Sequence, residues 1–244
     1  MLLEIYDINP LKNFFDVIYD SVQIVEMKLD PMKLSISLLN NSHVAFYNLE
    51  ISREFFRSYS IQDVESVLLF VEDFYKILRS ANKDDTLTLE TNDSYLICTF
   101  ERLNNRRIFE LPLAEDFGES PVPPSLEYEG SFKISLDDLK EPCNDLDKII
   151  KTDKFKMIVN NNTLNVVAPI DAMTKYNQII SIDNGVTGNV TVNIEYIMQL
   201  LKLAKINKNV QFSIGNNIPL SWSINSADEL IKVKGLIAPI IEED

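Results

Sequence analysis

The chain has 244 residues and a formal net charge of −14 at pH 7, with 45% hydrophobic and 25% charged residues. That balance is typical of a folded protein of one large or two smaller domains and excludes wholesale disorder. No run approaches the roughly 20 apolar residues that a membrane span needs. The acidic surface also excludes indiscriminate nucleic-acid binding, because attraction to phosphates requires local positive charge.

The beginning of the chain, MLLEIYDINP, carries Glu4 and Asp7 and lacks the basic region and long apolar core of a secretory signal. Cys98 and Cys143 lie in different segments, so we expect two buried thiols rather than a disulfide framework. These features predict an intracellular protein.

The first half alternates between helical and strand patterns. A helix is predicted in NPLKNFFDVIYDSV, with Asn9 as its N-cap and Pro10 at the first helical position. The runs MKLSISLL and HVAFYNLEI then have strand character. ILRSANKDDTLTLE, from Ile77, has the pattern of a helix end, a polar turn and an alternating strand.

The second half repeats this order. In SLDDLKEPCNDLDKII, Ser135 and Asp138 form a start that resembles a capping box, and Pro142 should shorten or kink the helix. FKMIVNN and TLNVVAPI predict two strands, and LLKLAKINKNVQFSI, from Leu200, predicts another helix end, turn and strand. At an offset of 123 residues, Leu87 aligns with Val210.

The stretch LAEDFGESPVPPSLEYEG, rich in proline, glycine and acidic residues, is the most loop-like part of the chain. We therefore predict an α+β fold of two similar domains, residues 1–116 and 130–244, joined by a connecting loop at 117–129.

Motifs for catalysis are absent from the sequence. No glycine-rich phosphate loop occurs, and one histidine with two separated cysteines offers neither a metal site nor a nucleophile with its base. Adjacent acids such as Asp84 and Asp85 are expected to serve turns or caps. We expect no enzyme and no cofactor.

Four segments resemble the proliferating cell nuclear antigen (PCNA) family of sliding clamps. NNSHVAFYNLEI resembles the family's SSHV segment, IPLSWSI its PL strand, and LIAPIIEED its LAPKIE terminus. YKILRSANKDDTLTL is similar to its second helix and the following strand. The resemblance covers essentially the whole chain. Gly235 and Leu236 depart from it, because the family often carries aromatics there, in YYLAP.

The resemblance implies two domains of the DNA-clamp type, with helices on one face and sheets on the other, assembling into a ring around duplex DNA. Such a clamp is a processivity factor opened by a clamp loader, and it tethers DNA polymerase, flap endonuclease and DNA ligase. The ring is a homotrimer or a heterotrimer. The implied location is the cytoplasm of a prokaryotic cell, or the nucleus or replication site in a eukaryotic or viral setting.

The resemblance also implies a hydrophobic pocket for partner peptides that carry an apolar plug on a helical turn. Its residues would be Leu39, His43, Val44, Val122, Leu126, Pro219, Leu236, Ala238, Pro239 and Ile241. This pocket would explain the apolar run from Leu236 to Ile241. The alternative is a final core strand, and the two are compatible because one face of a strand can line a pocket.

A clamp needs positive charge only on the helices that face DNA. Lys76, Arg79 and Lys83, at i, i+3 and i+7, share one helix face, which without the resemblance would be an ordinary solvated face. The full expected set is Lys12, Lys76, Arg79, Lys83, Lys140, Lys148, Lys202, Lys205 and Lys208. Glu141 and Glu195 lie on helices of the same DNA-facing surface. We therefore expect this surface to be less positive, and its contacts with DNA to be sensitive to salt.

Subunits of the family pair sheet edges head to tail. The resemblance pairs RIFELPL of one subunit with KYNQIISID of the next. The expected interface residues are Arg107, Phe109, Leu111, Tyr176, Ile179 and Ile180.

Two alternatives remain open from the sequence. One is a clamp-like subunit of a heterotrimeric or repair-specialised ring. The other is an acidic monomeric adaptor or DNA mimic.

Overall fold

The computed structural model describes residues 1–92, 94–115, 120–170 and 174–241. Residues 117–119 of the predicted connecting loop and the last three residues lie outside these ranges. The helices are α1 (Asn9–Ile18), α2 (Val71–Arg79), α3 (Leu136–Asn144) and α4 (Ile194–Leu201). The strands are β1 (Leu2–Ile5), β2 (Ile24–Asp30), β3 (Lys33–Leu39), β4 (Ala45–Ser52), β5 (Ser58–Tyr59), β6 (Glu65–Phe70), β7 (Thr86–Thr91), β8 (Tyr95–Arg102), β9 (Asn105–Pro112), β10 (Gly130–Ser135), β11 (Lys154–Pro169), β12 (Lys175–Asn193), β13 (Asn209–Ile214), β14 (Leu220–Asn225) and β15 (Ile231–Ile237).

The chain divides into two compact units. The first comprises Met1–His43, Tyr47–Val122 and Asn225–Val233. The second comprises Val44–Phe46, Pro123–Ile224 and Lys234–Asp244. Strands β4 and β15 contribute residues to both units.

The first unit contains a sheet of order β5-β1-β7-β8-β9 and the strand series β4-β3-β2-β6. Its antiparallel registers place apolar side chains opposite one another, as in Leu3 with Leu89. Helices α1 and α2 meet through Phe15 and Phe74, both fully buried, with ring centroids 4.9 Å apart in an edge-to-face arrangement. Successive side chains along a strand point to opposite faces of the sheet, so the buried side chains lie together on the face that packs against the core.

The second unit contains the series β11-β12-β10-β13-β14, followed by the C-terminal part of β15. Strands β11 and β12 pair from Lys154 with Asn193 to Pro169 with Lys175. Phe132 of β10 and Phe212 of β13 pack with ring centroids 5.6 Å apart.

The predicted repeat is confirmed, since equivalent elements begin at the same offset. Helices α2 and α4 begin at Val71 and Ile194, which are 123 residues apart. Strands β7 and β13 begin at Thr86 and Asn209, again 123 residues apart.

The predicted N-cap of α1 is wrong. Asn9 is the first helical residue, and its backbone N–H donates to the Asp7 carboxylate at 3.0 Å. The carboxylate two residues earlier supplies the acceptor that a capping side chain would give. In α3 the prediction holds, because Ser135 is the N-cap and its hydroxyl accepts from the Asp137 N–H at 3.2 Å.

The two strands predicted in FKMIVNN and TLNVVAPI are one long strand, β11. The polar NNNT sequence is typical of a turn, but here it stays within the strand, where the register shifts between Asn161 and Thr163. Asn161 has a φ of 51°, a conformation that asparagine adopts more readily than most residues. The strand therefore continues through this irregularity.

Pro142 is buried inside α3, which ends two residues later at Asn144. A π-helical segment follows over Asp145–Ile150. Its C-cap is Lys151, which has a φ of 57°. Proline lacks the N–H that a regular helix uses, which accounts for the early end of the α-helical pattern.

The cysteines are buried, and burial raises the pKa of both the Cys98 and the Cys143 thiols to about 12. Within the described ranges, no helix is long and apolar enough to cross a membrane. In the same ranges, no three His, Cys, Asp or Glu side chains cluster so as to hold a metal ion.

Candidate functional site

A cavity of about 230 Å³ lies in the second unit. It is lined mainly by apolar groups from the start of β4, the segment after Val122, and strands β14 and β15. The lining residues are Phe46, Pro123, Pro124, Leu126, Tyr128, Ser221, Lys234, Gly235 and Leu236. An apolar cavity with a few polar groups at its wall is the usual form of a ligand or peptide pocket.

Gly235 gives this pocket its shape. A Cβ at this position would lie 2.6 Å from Cζ2 of Trp222 and still closer to the carbonyl oxygen of Phe46. The Trp222 ring, 1% exposed, therefore occupies the space that a side chain at Gly235 would need. An aromatic side chain at this position would therefore clash with the Trp222 ring.

Leu236 follows on the opposite side of the strand. It is half-buried and lines the pocket, whereas its neighbour Ile237 is only 1% exposed. The alternation of a strand thus divides the apolar run into core and pocket residues. The run thus supplies both a core residue, Ile237, and a residue that lines this cavity, Leu236.

The connecting segment forms one wall of the pocket through Pro123, Pro124, Leu126 and Tyr128. Burial raises the pKa of Tyr128, whose hydroxyl is buried and has no hydrogen-bond partner among the described residues. Just beyond, the Glu129 carboxylate accepts from the side-chain amide of Asn216 at 2.7 Å. This hydrogen bond links the C-terminal end of the segment to the turn between β13 and β14.

The structure places two predicted pocket residues, Leu126 and Leu236, in this cavity. Val44 and Ala238 lie together, since the Ala238 N–H donates to the Val44 carbonyl at 2.8 Å. Among the described residues, however, the cavity lining includes none of Val44, Pro219, Ala238, Pro239 and Ile241.

The remaining predicted pocket residues belong to the first unit. Leu39 ends β3, His43 is exposed with a φ of 58°, and Val122 is 89% exposed.

Sequence reasoning missed seven lining residues: Phe46, Pro123, Pro124, Tyr128, Ser221, Lys234 and Gly235. The period of a strand could have identified Lys234, because it lies two residues from Leu236 and shares its face. Ser221 and Tyr128 are brought together only by the tertiary structure.

In the first unit, a second cavity of about 450 Å³ lies between the start of α1 and the turn after α2. Two predicted DNA-facing cations, Lys12 and Lys83, line it together with Tyr6, Asp7 and Asp84. Its charge is mixed, and its wall is about equally polar and apolar.

On α2, Lys76 and Arg79 are exposed but differ in their partners. The Lys76 ammonium lies 2.7 Å from a Glu72 carboxylate oxygen and 3.5 Å from Asp73, and the hydrogen bond with Glu72 raises the pKa of Lys76. The Arg79 guanidinium lies 5.7 Å from the Tyr75 ring centroid, within the range of a cation–π contact.

In the second unit, the predicted cations are exposed on four segments. Lys140 lies on α3 and Lys148 in the π-helical segment. Lys202 and Lys205 lie on a 3-10 turn that extends α4. Lys208 lies in the next turn, with its ammonium 3.5 Å from Asp137.

Strand β9 is the last strand of its sheet, and the predicted interface residues on it point to the core side. The Arg107 guanidinium donates to Asp85 at 2.5 Å, Phe109 packs edge-to-face on Phe100, and Leu111 is 3% exposed. The outward apolar residue is Ile108, 53% exposed, which sequence reasoning missed. The alternation of more buried and more exposed side chains along β9 identifies Ile108 as an outward residue.

On β12, Tyr176 and Ile180 are half-buried, and the Tyr176 hydroxyl donates to Asp145 at 3.2 Å. Ile179 is 63% exposed. Residues Lys175–Ser181 pair with β11, and β10 meets β12 at Asp183.

Residues 3–115 match the family model described as proliferating cell nuclear antigen, N-terminal domain. The DNA polymerase sliding clamp of Methanobrevibacter smithii is 28% identical over 244 residues, which cover 99% of this chain and 98% of the relative.

Two solved structures share the fold. One is the PCNA of Entamoeba histolytica, with a TM-score of 0.88 and 17% identity, covering 98% of each chain. The other is the PCNA2–PCNA3 complex of Sulfolobus tokodaii, with a TM-score of 0.88 and 20% identity, covering 99% of this chain and 100% of that one. Residues 3–115 are therefore similar to the N-terminal domain of proliferating cell nuclear antigen, and the whole chain is similar to a DNA polymerase sliding clamp.

Proposed function

We propose that the chain is a DNA sliding clamp, a non-enzymatic processivity factor for replication and repair. It encircles duplex DNA and holds DNA polymerase, flap endonuclease, DNA ligase and the clamp loader through peptides bound in the pocket of the second unit. The observation that carries this function is the apolar pocket built on Leu236 and Leu126, in a chain similar along its whole length to a DNA polymerase sliding clamp.

The pocket supports peptide binding by its chemistry. Its walls are mostly proline, leucine and aromatic groups, and its volume suits a cluster of apolar side chains rather than a flat surface contact. An amphipathic helical turn presents such a cluster on one face.

Exposed cations support DNA binding in each unit separately. Arg79 lies on α2 and Lys205 beyond α4, both on helical segments next to the sheets. With a net charge of −14, the rest of the surface repels DNA, so contact is favoured only where these cations lie. A topologically closed ring needs no tight contact.

Ring assembly is supported by strand edges. Strand β9 ends its sheet and carries the exposed Ile108, and β12 carries the exposed Ile179. Antiparallel pairing of β9 with the next subunit's β12 would satisfy the open backbone groups and bury these side chains.

A subunit of a heteromeric ring is the second candidate. It is favoured by the likeness to a chain of the PCNA2–PCNA3 complex over the full length of both chains.

Molar mass by light scattering, measured across a dilution series, separates the assemblies. One chain is 28.0 kDa, so a homotrimer appears near 84 kDa, three times that mass. A persistent 28 kDa species contradicts the homotrimer. Binding to related clamp chains would then indicate a heteromeric ring. A chain that binds no other clamp chain would indicate a monomeric adaptor.

Pocket function is tested by titrating a C-terminal peptide of the DNA polymerase from the same cell. Leu236→Glu should abolish binding, because a carboxylate would be placed in the apolar cavity. Lys232→Glu, on an exposed position of the same strand, is the matched control and should bind normally. Undiminished binding by Leu236→Glu would exclude this pocket.

A further inference from the structure

The pocket of the second unit carries a single charge in its wall, and that charge is positive. Among the described residues that line the cavity, Lys234 is the only one that is ionised at neutral pH, and no carboxylate is among them. The Lys234 side chain is exposed, so its ammonium lies at the rim of the cavity. An apolar pocket with one placed charge favours ligands that carry the opposite charge at the matching position.

Lys234 is not already neutralised by the protein. In the part of the chain that the structure describes, its side chain forms neither an ion pair nor a hydrogen bond. Other lysines do find carboxylates, since the ammonium of Lys33 lies 2.9 Å from Glu50 and that of Lys76 lies 2.7 Å from Glu72. The Lys234 ammonium can therefore receive a carboxylate from a ligand without losing a partner among the described residues.

The strand places this ammonium next to the apolar contact. Lys234 and Leu236 are two residues apart on β15 and share one face, with Cα atoms roughly 7 Å apart along an extended strand. Leu236 is half-buried in the cavity wall, whereas Lys234 is exposed. A peptide whose apolar side chains contact Leu236 thus brings its neighbouring residues alongside Lys234.

We propose that Lys234 is a specificity-determining residue of the pocket, which selects peptides that carry a carboxylate next to their apolar side chains. The carboxylate accepts a charge-assisted hydrogen bond from the Lys234 ammonium. This inference rests on the proposed function, because it concerns which peptides the same pocket takes.

The selection is for position rather than for acidity in general. The chain has a net charge of −14, which repels acidic peptides at long range. Salt screens that repulsion beyond about 8 Å at physiological ionic strength, whereas a carboxylate beside Lys234 is much closer than this. A carboxylate elsewhere on the peptide gains nothing from the pocket.

The test is a paired scan of the C-terminal peptide of the DNA polymerase from the same cell. Each position is replaced in turn by Glu and by Gln, which have nearly the same shape and differ in charge. Binding is measured by the fluorescence anisotropy of the labelled peptides at low ionic strength, where charge effects are largest.

At one peptide position, the Glu form should bind the wild type about threefold to fivefold more tightly than the Gln form, as expected for an exposed ion pair. Lys234→Gln should remove this preference, and Lys234→Glu should reverse it. Two matched controls should keep it within about 1.5-fold. They are Lys232→Gln, an exposed position of the same strand outside the cavity lining, and Tyr128→Phe, which removes a buried hydroxyl but keeps the ring.

Acetylation by acetic anhydride gives a second readout that needs no substitution in the protein. At equal occupancy, the Glu peptide should slow the modification of Lys234 about threefold more than the Gln peptide, because a neighbouring carboxylate stabilises the unreactive ammonium. Lys232 serves as the internal reference in the same mass spectrum.

The outcomes separate this inference from the proposed function. Equal Glu and Gln affinities at every position of a peptide that the wild type binds would overturn the role of Lys234 alone. So would a preference that persists in Lys234→Gln, or equal acetylation with the two peptides. If the wild type binds none of the peptides, the proposed function and this inference both fall.

Discussion

The Arg107 guanidinium donates to the Asp85 carboxylate at 2.5 Å, and this contact joins strand β9 to the turn that follows α2. Arg107 also donates to the Ser80 carbonyl at 3.0 Å, and Asp85 accepts from the Asn82 backbone N–H at 2.8 Å. Asp85 is almost fully buried, so its charge depends on these partners. The contact holds the strand that we propose pairs with the next subunit.

Replacing Asp85 with Asn should destabilise the protein. The change removes a buried charge-assisted hydrogen bond and leaves the Arg107 guanidinium with a weaker acceptor, so we expect a loss of about 1.5–3 kcal/mol. Urea unfolding measures this. The exposed neighbour Asp84, changed to Asn, should be nearly neutral. Equal losses in the two variants would show that the pair is not the cause.

The contribution of Asp85 should depend on pH. Burial acts to raise the pKa of this carboxyl, but hydrogen bonds from Asn82 and the charge of Arg107 outweigh it, and the net pKa is lowered. A lowered folded pKa means that the stabilisation is present above the unfolded value of about 3.9 and is lost as the pH falls through the folded value. The stability difference between the wild type and Asp85→Asn should therefore be constant from about pH 7 to 5 and shrink below about pH 4. A difference that grows on acidification would contradict the assignment.

Adding a single methyl group at Gly235 should be costly. In Gly235→Ala the new Cβ overlaps the Trp222 ring and the Phe46 carbonyl, so we expect a loss of about 1–3 kcal/mol and a changed Trp222 emission spectrum. Thermal unfolding and fluorescence measure both effects. The exposed neighbour Lys234, changed to Ala, should shift stability by less than about 0.5 kcal/mol. A Gly235→Ala protein with wild-type stability and emission would rule out the close packing.

Two lysines should contribute unequally to DNA binding. Lys76 is already paired with Glu72 and Asp73, whereas Lys205 is exposed on the turn beyond α4. Lys205→Ala should lower the slope of log affinity against log salt by about one, as expected for a lost phosphate contact, and Lys76→Ala should lower it less. Titration of a short linear duplex at several salt concentrations measures the slopes. A larger effect at Lys76 would contradict this ranking.

Local patterns predicted the elements but not every boundary. The helix-turn-strand pattern after Ile77 and its repeat after Leu200 correspond to real elements with identical offsets. The pattern failed at Asn161, because a polar sequence that favours turns also tolerates an irregular position within a strand. It failed at Asn9, because Asp7 supplies the acceptor instead.

For the pocket too, some residues were predicted before the structure was known and others were not. Leu236 was named as a pocket residue from the family resemblance, and it lines the cavity because strand alternation leaves one face of the apolar run available. Ser221 and Tyr128 were not predictable, because 93 positions separate them and only the fold brings them to one wall.

The sequence by itself determined the duplicated α+β architecture, the proline-rich connecting stretch and the family resemblance, since these follow from periodicity, proline content and residue identity along the chain. The tertiary structure alone decided which face of β15 lines the pocket and that Trp222 excludes a side chain at Gly235. The physical reason is that steric exclusion and hydrogen bonding act over a few ångströms in space. Residues that are distant along the chain can interact in these ways only after the backbone has brought them together.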